Sequence, residues 1–442
     1  MNHFNLVHHK KFFFISFQMK EILNQVFKIN DIHKTPLFLA TERKNREIID
    51  LLLYHKKIKF DEKVYYRCSS LIQVAVPSTV TTLGDYCFYK CVSLNKITIP
   101  NSVTTIGTST FSKCGKLVRI PLPSSVNSIG MHAFSFCQSL TRMDLPKSVT
   151  SIAAYTFEGC ISLKKIKIPS SVTFIGEYAF SNCATLSTIN LPSTIAVIDR
   201  YAFNECSMLQ EFKIPASVTK LRDSTFENCI ALSKIEIPAT VKSIGSSVFN
   251  SCWALSTVLI PHNITMIGRN MFTECKSLES VDLPPNLTSI DNYFFSKCAA
   301  LSSITIPETV TCIGNYAFED CTALTEIKIP KSVKSIGRCA FYECSSLKEV
   351  QLPSSITSIE FQVFFRCSSL QQITIPPSIK TIEREAFEDC ITLNQFTIPA
   401  SVTSLGKNVF RGCYSLEKLT MPSSLVTTQC IGIEEITKVV IV

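Results

Sequence analysis

The hydrophobic positions of this chain return every 23 residues. Proline stands at each step of that interval from Pro77 to Pro422, sixteen times without an insertion. Six residues before every proline is a leucine, and nine before is a cysteine. Twelve before is a phenylalanine, except in the first unit, which has Tyr65. Stacked repeats require one strict period because each repeat buries its apolar face against its neighbours. The pattern predicts a solenoid.

Each repeat contains three predicted segments. The L-x-x-I-x-I segment ends in alternating apolar and polar positions and predicts a short strand, which the proline terminates because it has no N–H to donate. The following V-x-x-I-G predicts a short extended return, and A-F-x-x-C predicts a turn of α-helix or 3₁₀-helix. The expected fold is a mostly β, curved leucine-rich-repeat solenoid of about sixteen 23-residue repeats with a parallel concave sheet.

The recurring cysteine could serve chemistry or packing. Zinc sites need cysteines two to four residues apart and usually histidine, but these are 23 apart and only His132 and His262 lie in the repeats. A disulfide between adjacent coils would join side chains that point the same way, which strains the bridge. We therefore interpret the thiol as a small apolar core member. The predicted core ladder is represented in two successive repeats by Phe180, Cys183, Leu186, Phe203, Cys206 and Leu209.

Polar and aromatic positions also recur. Two residues after every proline is Ser, Thr or Asn, and such a side chain can bond the turn backbone of its own and neighbouring repeats. Asn263 and Asn286 hold this position within glycosylation sequons, and we expect both to be buried in the polar ladder and unmodified. Tyrosines fourteen residues before several prolines predict ring stacking between coils. Pro121, inside a predicted strand, predicts a local break in the sheet.

Composition narrows the functional classes. The net charge of +9 over 442 residues is too dilute to predict nucleic-acid binding. The sequence has no catalytic, phosphate-binding, dinucleotide or metalloprotease motif, so we predict no enzyme and assign no catalytic, cofactor-binding or metal-binding residue. No apolar stretch approaches the roughly 20 residues of a membrane helix. The six-residue apolar run at 12–17 is shorter than a secretory h-region, and we expect no signal peptide.

The segment IPSSVTFIGEYAFSNCATL, residues 168–186, resembles the repeat of the BspA-like leucine-rich-repeat proteins. The resemblance covers residues 64–428. It implies a right-handed curved solenoid that acts as a surface antigen and binds host or matrix proteins. We predict a C-terminal cap over residues 429–442.

The N-terminal residues depart from the repeat. Residues 34–63 resemble one ankyrin repeat because Thr35, Pro36, Leu37 and Ala40 match its T-P-L-H-x-A signature, although Phe38 replaces the histidine. A single ankyrin repeat is not stable alone, so we expect a small helical hairpin that caps the first coil. Residues 1–33 are predicted to be helical or partly disordered.

The outward positions of the predicted sheet form the candidate binding surface. In the N-terminal third they are mostly basic, with Asp144 the one acid. We call this set the basic strip, and it contains Lys96, Arg119, Arg142, Lys164, Lys165 and Lys167. It could contact an acidic protein surface or a sulfated glycan, or it could simply keep the sheet soluble.

The best-supported function from sequence is a non-enzymatic protein-binding scaffold, and two versions stay open. The resemblance implies an adhesin-type antigen at the cell surface. The missing signal peptide and the free-thiol pattern instead favour an intracellular, cytoplasmic interaction scaffold, because unpaired thiols suit a reducing compartment.

Overall fold

The computed structural model describes residue 60, residues 63–425 and residues 438–441. Its chain winds as a parallel β-solenoid in which the coils contribute short strands to a front sheet and to a back sheet. The predicted segment 1–33 lies outside the described residues, as does nearly all of the ankyrin-like segment 34–63. Lys63 already belongs to the first coil, since its N–H bonds the Asp85 carbonyl of the next coil at 3.1 Å.

The front sheet consists of strands of three or four residues that end close to the proline of each repeat. Its strands are Gln73–Ala75, Lys96–Thr98, Arg142–Asp144, Lys165–Lys167, Glu211–Lys213, Lys234–Glu236, Thr257–Leu259, Glu326–Lys328, Glu349–Gln351, Gln372–Thr374, Gln395–Thr397, Lys418–Met421 and Lys438–Ile441. Paired strands are parallel and offset by one repeat, as in Gln73 opposite Lys96. The last strand lies in the predicted C-terminal cap and pairs with Lys418–Met421.

The back sheet consists of two-residue strands, which confirms the predicted extended return. Its strands are Thr82–Leu83, Thr105–Ile106, Ser128–Ile129, Ser151–Ile152, Phe174–Ile175, Val197–Ile198, Lys220–Leu221, Ser243–Ile244, Met266–Ile267, Ser289–Ile290, Cys312–Ile313, Ser335–Ile336, Ser358–Ile359, Thr381–Ile382 and Ser404–Leu405. The helical content of the described residues is one 3₁₀ turn, Ser423–Leu425.

The A-F-x-x-C segment is not helical, so the prediction of a helical turn was wrong. The residues fourteen and ten before each proline have positive φ in all sixteen coils, and thirty of these thirty-two are not glycine. The left-handed residues reverse successive peptide units. Successive N–H groups therefore donate in two alternating directions. Some donate within the turn, as the N–H of Cys91 does to the Phe88 carbonyl at 3.1 Å, and others donate to the next coil, as the N–H of Phe88 does to the Thr110 carbonyl at 2.8 Å. Bonds between coils offset the cost of roughly 1 kcal/mol or more that a left-handed residue carries.

The core is a set of columns, each built from one repeat position. The phenylalanine column forms a continuous stack from Tyr65 to Phe410, with centroid separations such as 5.3 Å for Phe180 to Phe203. Cysteines and leucines of the repeats are buried beside it throughout. The predicted core ladder, including Cys183 and Leu186, is fully buried as expected. The tyrosine row also stacks as predicted, with Tyr178 and Tyr201 at 4.4 Å.

Glycine controls how closely coils approach in the back sheet. The residue seven after the proline is glycine in nine described coils, and in all nine its N–H bonds the preceding coil, as Gly176 to Ile152 at 2.8 Å. A Cβ on Gly176 would lie 2.6 Å from the backbone nitrogen of Ala154. Six coils have another residue at this position. Two of these residues, Asp199 and Glu383, keep the bond.

The other four lose it, and the back sheet is interrupted before each of their coils, which leaves five groups of three strands. These residues recur in every third coil and are Ala153, Arg222, Asp291 and Glu360. The phenylalanine stack passes through these interruptions unbroken. The loss of pairing in the back sheet therefore does not interrupt the core stack.

The front sheet is interrupted at Pro121, as predicted. The strand Lys96–Thr98 pairs only with the coil before it, and the coil of Pro121 contributes a single bridge, Arg119 to Arg142. Further interruptions near residues 188, 280 and 303, and between Gln372–Thr374 and Gln395–Thr397, have no proline within the strand, and nothing in the sequence explains them.

Candidate functional site

The outer face of the front sheet is the candidate site. Along most of its three-residue strands the central side chain is buried and the two flanking side chains are exposed, as in Lys96–Thr98. This follows from the alternation of side chains across a strand. The buried positions are occupied by Ile, Val, Phe, Met or Leu in every coil, whereas the exposed positions vary in size and charge. The front face therefore combines variable exposed side chains with buried positions that are apolar in every coil.

All six residues of the basic strip are exposed. Arg119, Arg142 and Lys165 occupy one column in three successive coils, as directly opposed partners in the parallel register. Lys164 and Lys167 flank Lys165 in the chain. Like charges directly opposite each other across strands are unfavourable, so this column costs stability unless an anion neutralises it.

Lys96 stands apart from that column. No strand pairing connects Lys96–Thr98 to the Arg119 coil within the described residues. The interruption instead opens a cleft of about 500 Å³ that Lys96 and Arg119 both line, together with Pro121. The structure thus brings five members of the strip side by side and places the sixth across a cleft from them.

Asp144 is the acid within the strip, and the guanidinium group of Arg142 pairs with it. Arg142 donates from Nε to Oδ2 of Asp144 and from Nη2 to Oδ1, both at 3.1 Å. Lys167 is the cross-strand partner of Asp144. Beside them lies a cleft of about 560 Å³ that Lys147 and Ser170 also line. Lys147 was not predicted because it follows Pro146 and so belongs to a turn, although its stacked position next to Lys167 could have indicated it.

Front-sheet charges further along the chain are arranged differently. Glu211 lies opposite Lys234, and Lys213 lies opposite Glu236, so that each acid faces a base in the next coil. Opposite charges in such pairs are favourable. The front sheet therefore places opposite charges face to face in these two coils, whereas the basic strip carries six cations and one carboxylate.

The cysteine column is confirmed as core, and it has a polar role that the sequence did not indicate. From Cys91 to Cys413 each Sγ donates to the phenylalanine or tyrosine carbonyl oxygen of the preceding coil, as Cys206 to Phe180 at 3.2 Å. That oxygen also accepts the N–H of Cys183 at 3.1 Å, so both of its lone pairs are used.

Burial keeps these thiols protonated and therefore unreactive. It raises the pKa of Cys137 and of Cys206 to about 12, despite an opposing backbone hydrogen bond. Since the thiolate is the reactive form of cysteine, the column is suited to packing and hydrogen bonding. All nineteen described cysteines are free of disulfides.

The polar ladder after the prolines is confirmed in part. Ser102 donates to the Val80 carbonyl at 2.6 Å, and its counterparts repeat this bond to the preceding coil. Asn263 and Asn286, however, are exposed, so the prediction that these sequons are buried was wrong. The amide of Asn263 donates to the Ala239 carbonyl at 2.8 Å from the surface of the turn.

Within the described part of the chain, no group of three or more His, Cys, Asp or Glu residues is arranged to hold a metal ion. The same residues contain no helix with the length and apolar character needed to cross a membrane.

The stacked coils, the parallel sheets and the leucine column define a leucine-rich-repeat solenoid. A family model described as a BspA type leucine rich repeat region, in six copies, matches residues 58–187, 129–252, 174–302 and 288–417. The chain belongs to this family.

The chain is also similar to solved structures. A leucine-rich repeat protein from Bacteroides ovatus is 28% identical, with 85% of each chain covered and a TM-score of 0.59. A leucine rich cell surface protein from Faecalibacterium prausnitzii is 25% identical over 86% of this chain and 82% of its own, with a TM-score of 0.29. A leucine-rich repeat protein from Eubacterium ventriosum is 25% identical over 82% and 87%, with a TM-score of 0.38. A search of curated proteins finds no match.

Proposed function

We propose that this protein is a non-enzymatic recognition scaffold that binds other proteins through its front sheet, in the manner of a surface adhesin. The observation that supports this proposal is the contrast between the buried and the exposed positions of each coil. Core positions are nearly invariant, while the exposed front positions carry a different chemistry in each coil. Leucine-rich-repeat proteins are scaffolds that usually bind proteins, and solenoid stacking offers an extended surface for this.

The surface version of the proposal draws on the family, which includes a relative named as a cell surface protein. An intracellular scaffold is the second candidate, and one specific observation favours it. None of the nineteen described cysteines takes part in a disulfide, and thiols without disulfides are typical of proteins that stay in a reducing compartment.

A matched pair of variants tests the binding face. Leu259 on the front strand and Met266 on the back strand belong to the same coil and are 59% and 60% exposed. The front variant combines Leu259→Arg, Gln351→Arg and Thr397→Arg, and the back variant combines Met266→Arg, Thr219→Arg and Thr357→Arg; all six positions are exposed. Both variants gain the same charge on a solvated surface.

Full-length protein crosslinked to its partners on living cells provides the readout. We expect the partner to be retained by the back variant and lost by the front variant. Loss from both variants, or from neither, would reject the front face as the binding surface. Antibody labelling of intact and permeabilised cells separates the two locations, because labelling that requires permeabilisation removes the surface version.

A further inference from the structure

We propose that the basic strip is a binding site for a sulfated polysaccharide chain lying along the solenoid axis. This inference rests on the proposed function, since it assumes that the front sheet is the binding face, and it names a ligand class for one part of that face. The ligand would span the coils from Arg119 to Lys167, with Lys147 at one margin and Lys96 across the neighbouring cleft.

The cations form a line, which suits a linear ligand. Parallel strands lie about 4.8 Å apart, so Arg119, Arg142 and Lys165 offer one cation per coil along the stacking direction. Lys164 and Lys167 widen this line within one coil. A polymer that carries sulfate groups at short intervals can neutralise several of these cations at once. Guanidinium groups are well shaped for oxyanions because their N–H donors form a planar fork.

The charge balance of this region differs from that of the front strands at 211–213 and 234–236. Acids face bases directly in the coils of Glu211 and Lys234. In the strip, Arg119, Arg142 and Lys165 face one another, and Asp144 is the one carboxylate among six cations. An arrangement that is unfavourable in the free protein becomes favourable when a polyanion covers it.

The neighbouring surface favours a polyelectrolyte over a folded protein partner. Energetic centres of protein interfaces are enriched in Trp, Tyr and Arg that fill pockets. The exposed front positions between the cations are small or polar, such as Asn95, Thr98 and Thr141, with Val118 the large apolar side chain, 47% exposed. These positions offer hydrogen bonds to sugar hydroxyl groups and no aromatic anchor.

Asp144 limits the strength of this site. Its carboxylate occupies the guanidinium fork of Arg142, so it competes with an incoming sulfate for that cation. It also lies opposite Lys167 in the strand register. Replacing it with asparagine keeps its shape and removes its charge. The site should then bind a sulfated chain more tightly. A strip that only keeps the sheet soluble would show no such gain specific to sulfate.

The experiment uses full-length protein and a fluorescent, size-defined heparin oligosaccharide, with affinity measured by fluorescence anisotropy at several salt concentrations. The strip variant combines Lys164→Glu, Lys165→Glu and Lys167→Glu. The control variant combines Lys213→Glu, Lys234→Glu and Lys328→Glu, which changes the net charge by the same amount on the same exposed face.

We expect the strip variant to bind on the order of 100-fold more weakly, from six charge units at roughly twofold each. The control variant should change affinity by no more than about threefold, and Asp144→Asn should bind about two- to fivefold more tightly. Desulfated heparin, polyglutamate and a single-stranded oligonucleotide should each compete poorly.

Several outcomes would overturn the inference. Equal losses in the strip and control variants would show a response to net charge alone. Equal competition by polyglutamate would indicate an acidic protein partner, and equal competition by the oligonucleotide would indicate any polyanion. Failure here is distinguishable from failure of the proposed function, because the front variant at Leu259, Gln351 and Thr397 leaves the strip intact and tests protein capture separately.

Discussion

Replacing Gly176 with alanine should open the back sheet at a coil where it is now closed. The new Cβ would lie 2.6 Å from the nitrogen of Ala154 and 2.8 Å from the carbonyl carbon of Ala153, whereas ordinary contacts begin near 3.4 Å. Both neighbours are backbone atoms, so no side-chain rotation relieves the overlap. The two coils must separate, as they do before Ala153 itself.

The magnitude follows from the bonds that hold this part of the sheet. Separation breaks the Gly176 to Ile152 bond at 2.8 Å and the Thr173 to Thr150 bond at 3.0 Å. Each is worth about 1 kcal/mol net. Alanine also stabilises the folded state by about 0.4 to 1 kcal/mol, because it reduces the conformational entropy of the unfolded chain. We therefore expect Gly176→Ala to lower the free energy of unfolding by about 1 to 2 kcal/mol.

Gly115→Ala is the matched control. A Cβ on Gly115 meets no atom within 4 Å, so this variant should be stabilised by about 0.4 to 1 kcal/mol. Urea unfolding gives the global difference, and hydrogen exchange of the amides of Thr173 and Gly176 reports the local opening. Equal stability of the two variants, with unchanged exchange at Gly176, would refute the role assigned to glycine.

Three further predictions concern pH, modification and the core. The pKa of Cys137 is raised by burial to about 12, against roughly 8.5 in an unfolded chain. The free energy of unfolding is therefore unaffected by this thiol below about pH 8.5, and it falls by about 1.4 kcal/mol per pH unit between the two pKa values. In a Cys312→Ser, Cys430→Ser background, circular dichroism and thiolate absorbance should therefore change together in one alkaline transition, and thiolate formation in the folded state near pH 9 would contradict burial. Asn263 and Asn286 should accept N-linked glycans when the full chain is passed through a eukaryotic secretory pathway, seen as a glycosidase-sensitive mass shift that Thr265→Ala and Thr288→Ala remove; an unshifted wild-type chain would contradict their exposure. Phe203→Ala should cost about 3 to 5 kcal/mol in urea unfolding because it interrupts the stack, and a cost below 1 kcal/mol would contradict the packing.

Much of the fold could be predicted because a strict repeat lets one unit be interpreted sixteen times. The strand, the return, the core columns and the break at Pro121 all follow from patterns that recur or fail to recur in the sequence. The turn was misassigned because A-F-x-x-C has helical spacing, while its left-handed residues are Tyr, Ser, Asn and others that carry no glycine signal. Backbone reversal of this kind is imposed by neighbouring coils and is invisible in one repeat.

The candidate site was predictable in position and less so in detail. Exposure of the basic strip followed from strand alternation, but the gap beside Lys96 and the pairing of Arg142 with Asp144 depend on register and rotamer. The exposure of Asn263 was missed because the ladder position was assumed to be buried throughout, and asparagine is longer than the serine it replaces. The openings of the back sheet were missed because replacement of the glycine opens the sheet in four coils but not at Asp199 or Glu383, so the residue type at this position does not decide the outcome alone.

The central claim is that coils stack in register, so that each recurring side chain is buried against its copies in the adjacent coils. Cysteine accessibility tests this most directly, because the column is buried throughout whereas Cys312 on the back sheet is half-buried. Cys430 lies outside the described residues and is removed in a Cys430→Ser background. Full-length protein is treated with a bulky maleimide, and labelled sites are mapped by mass spectrometry before and after denaturation. The account predicts that Cys312 reacts in the native protein while the column from Cys68 to Cys413 reacts only after unfolding. Native labelling of the column at the rate of Cys312 would contradict it.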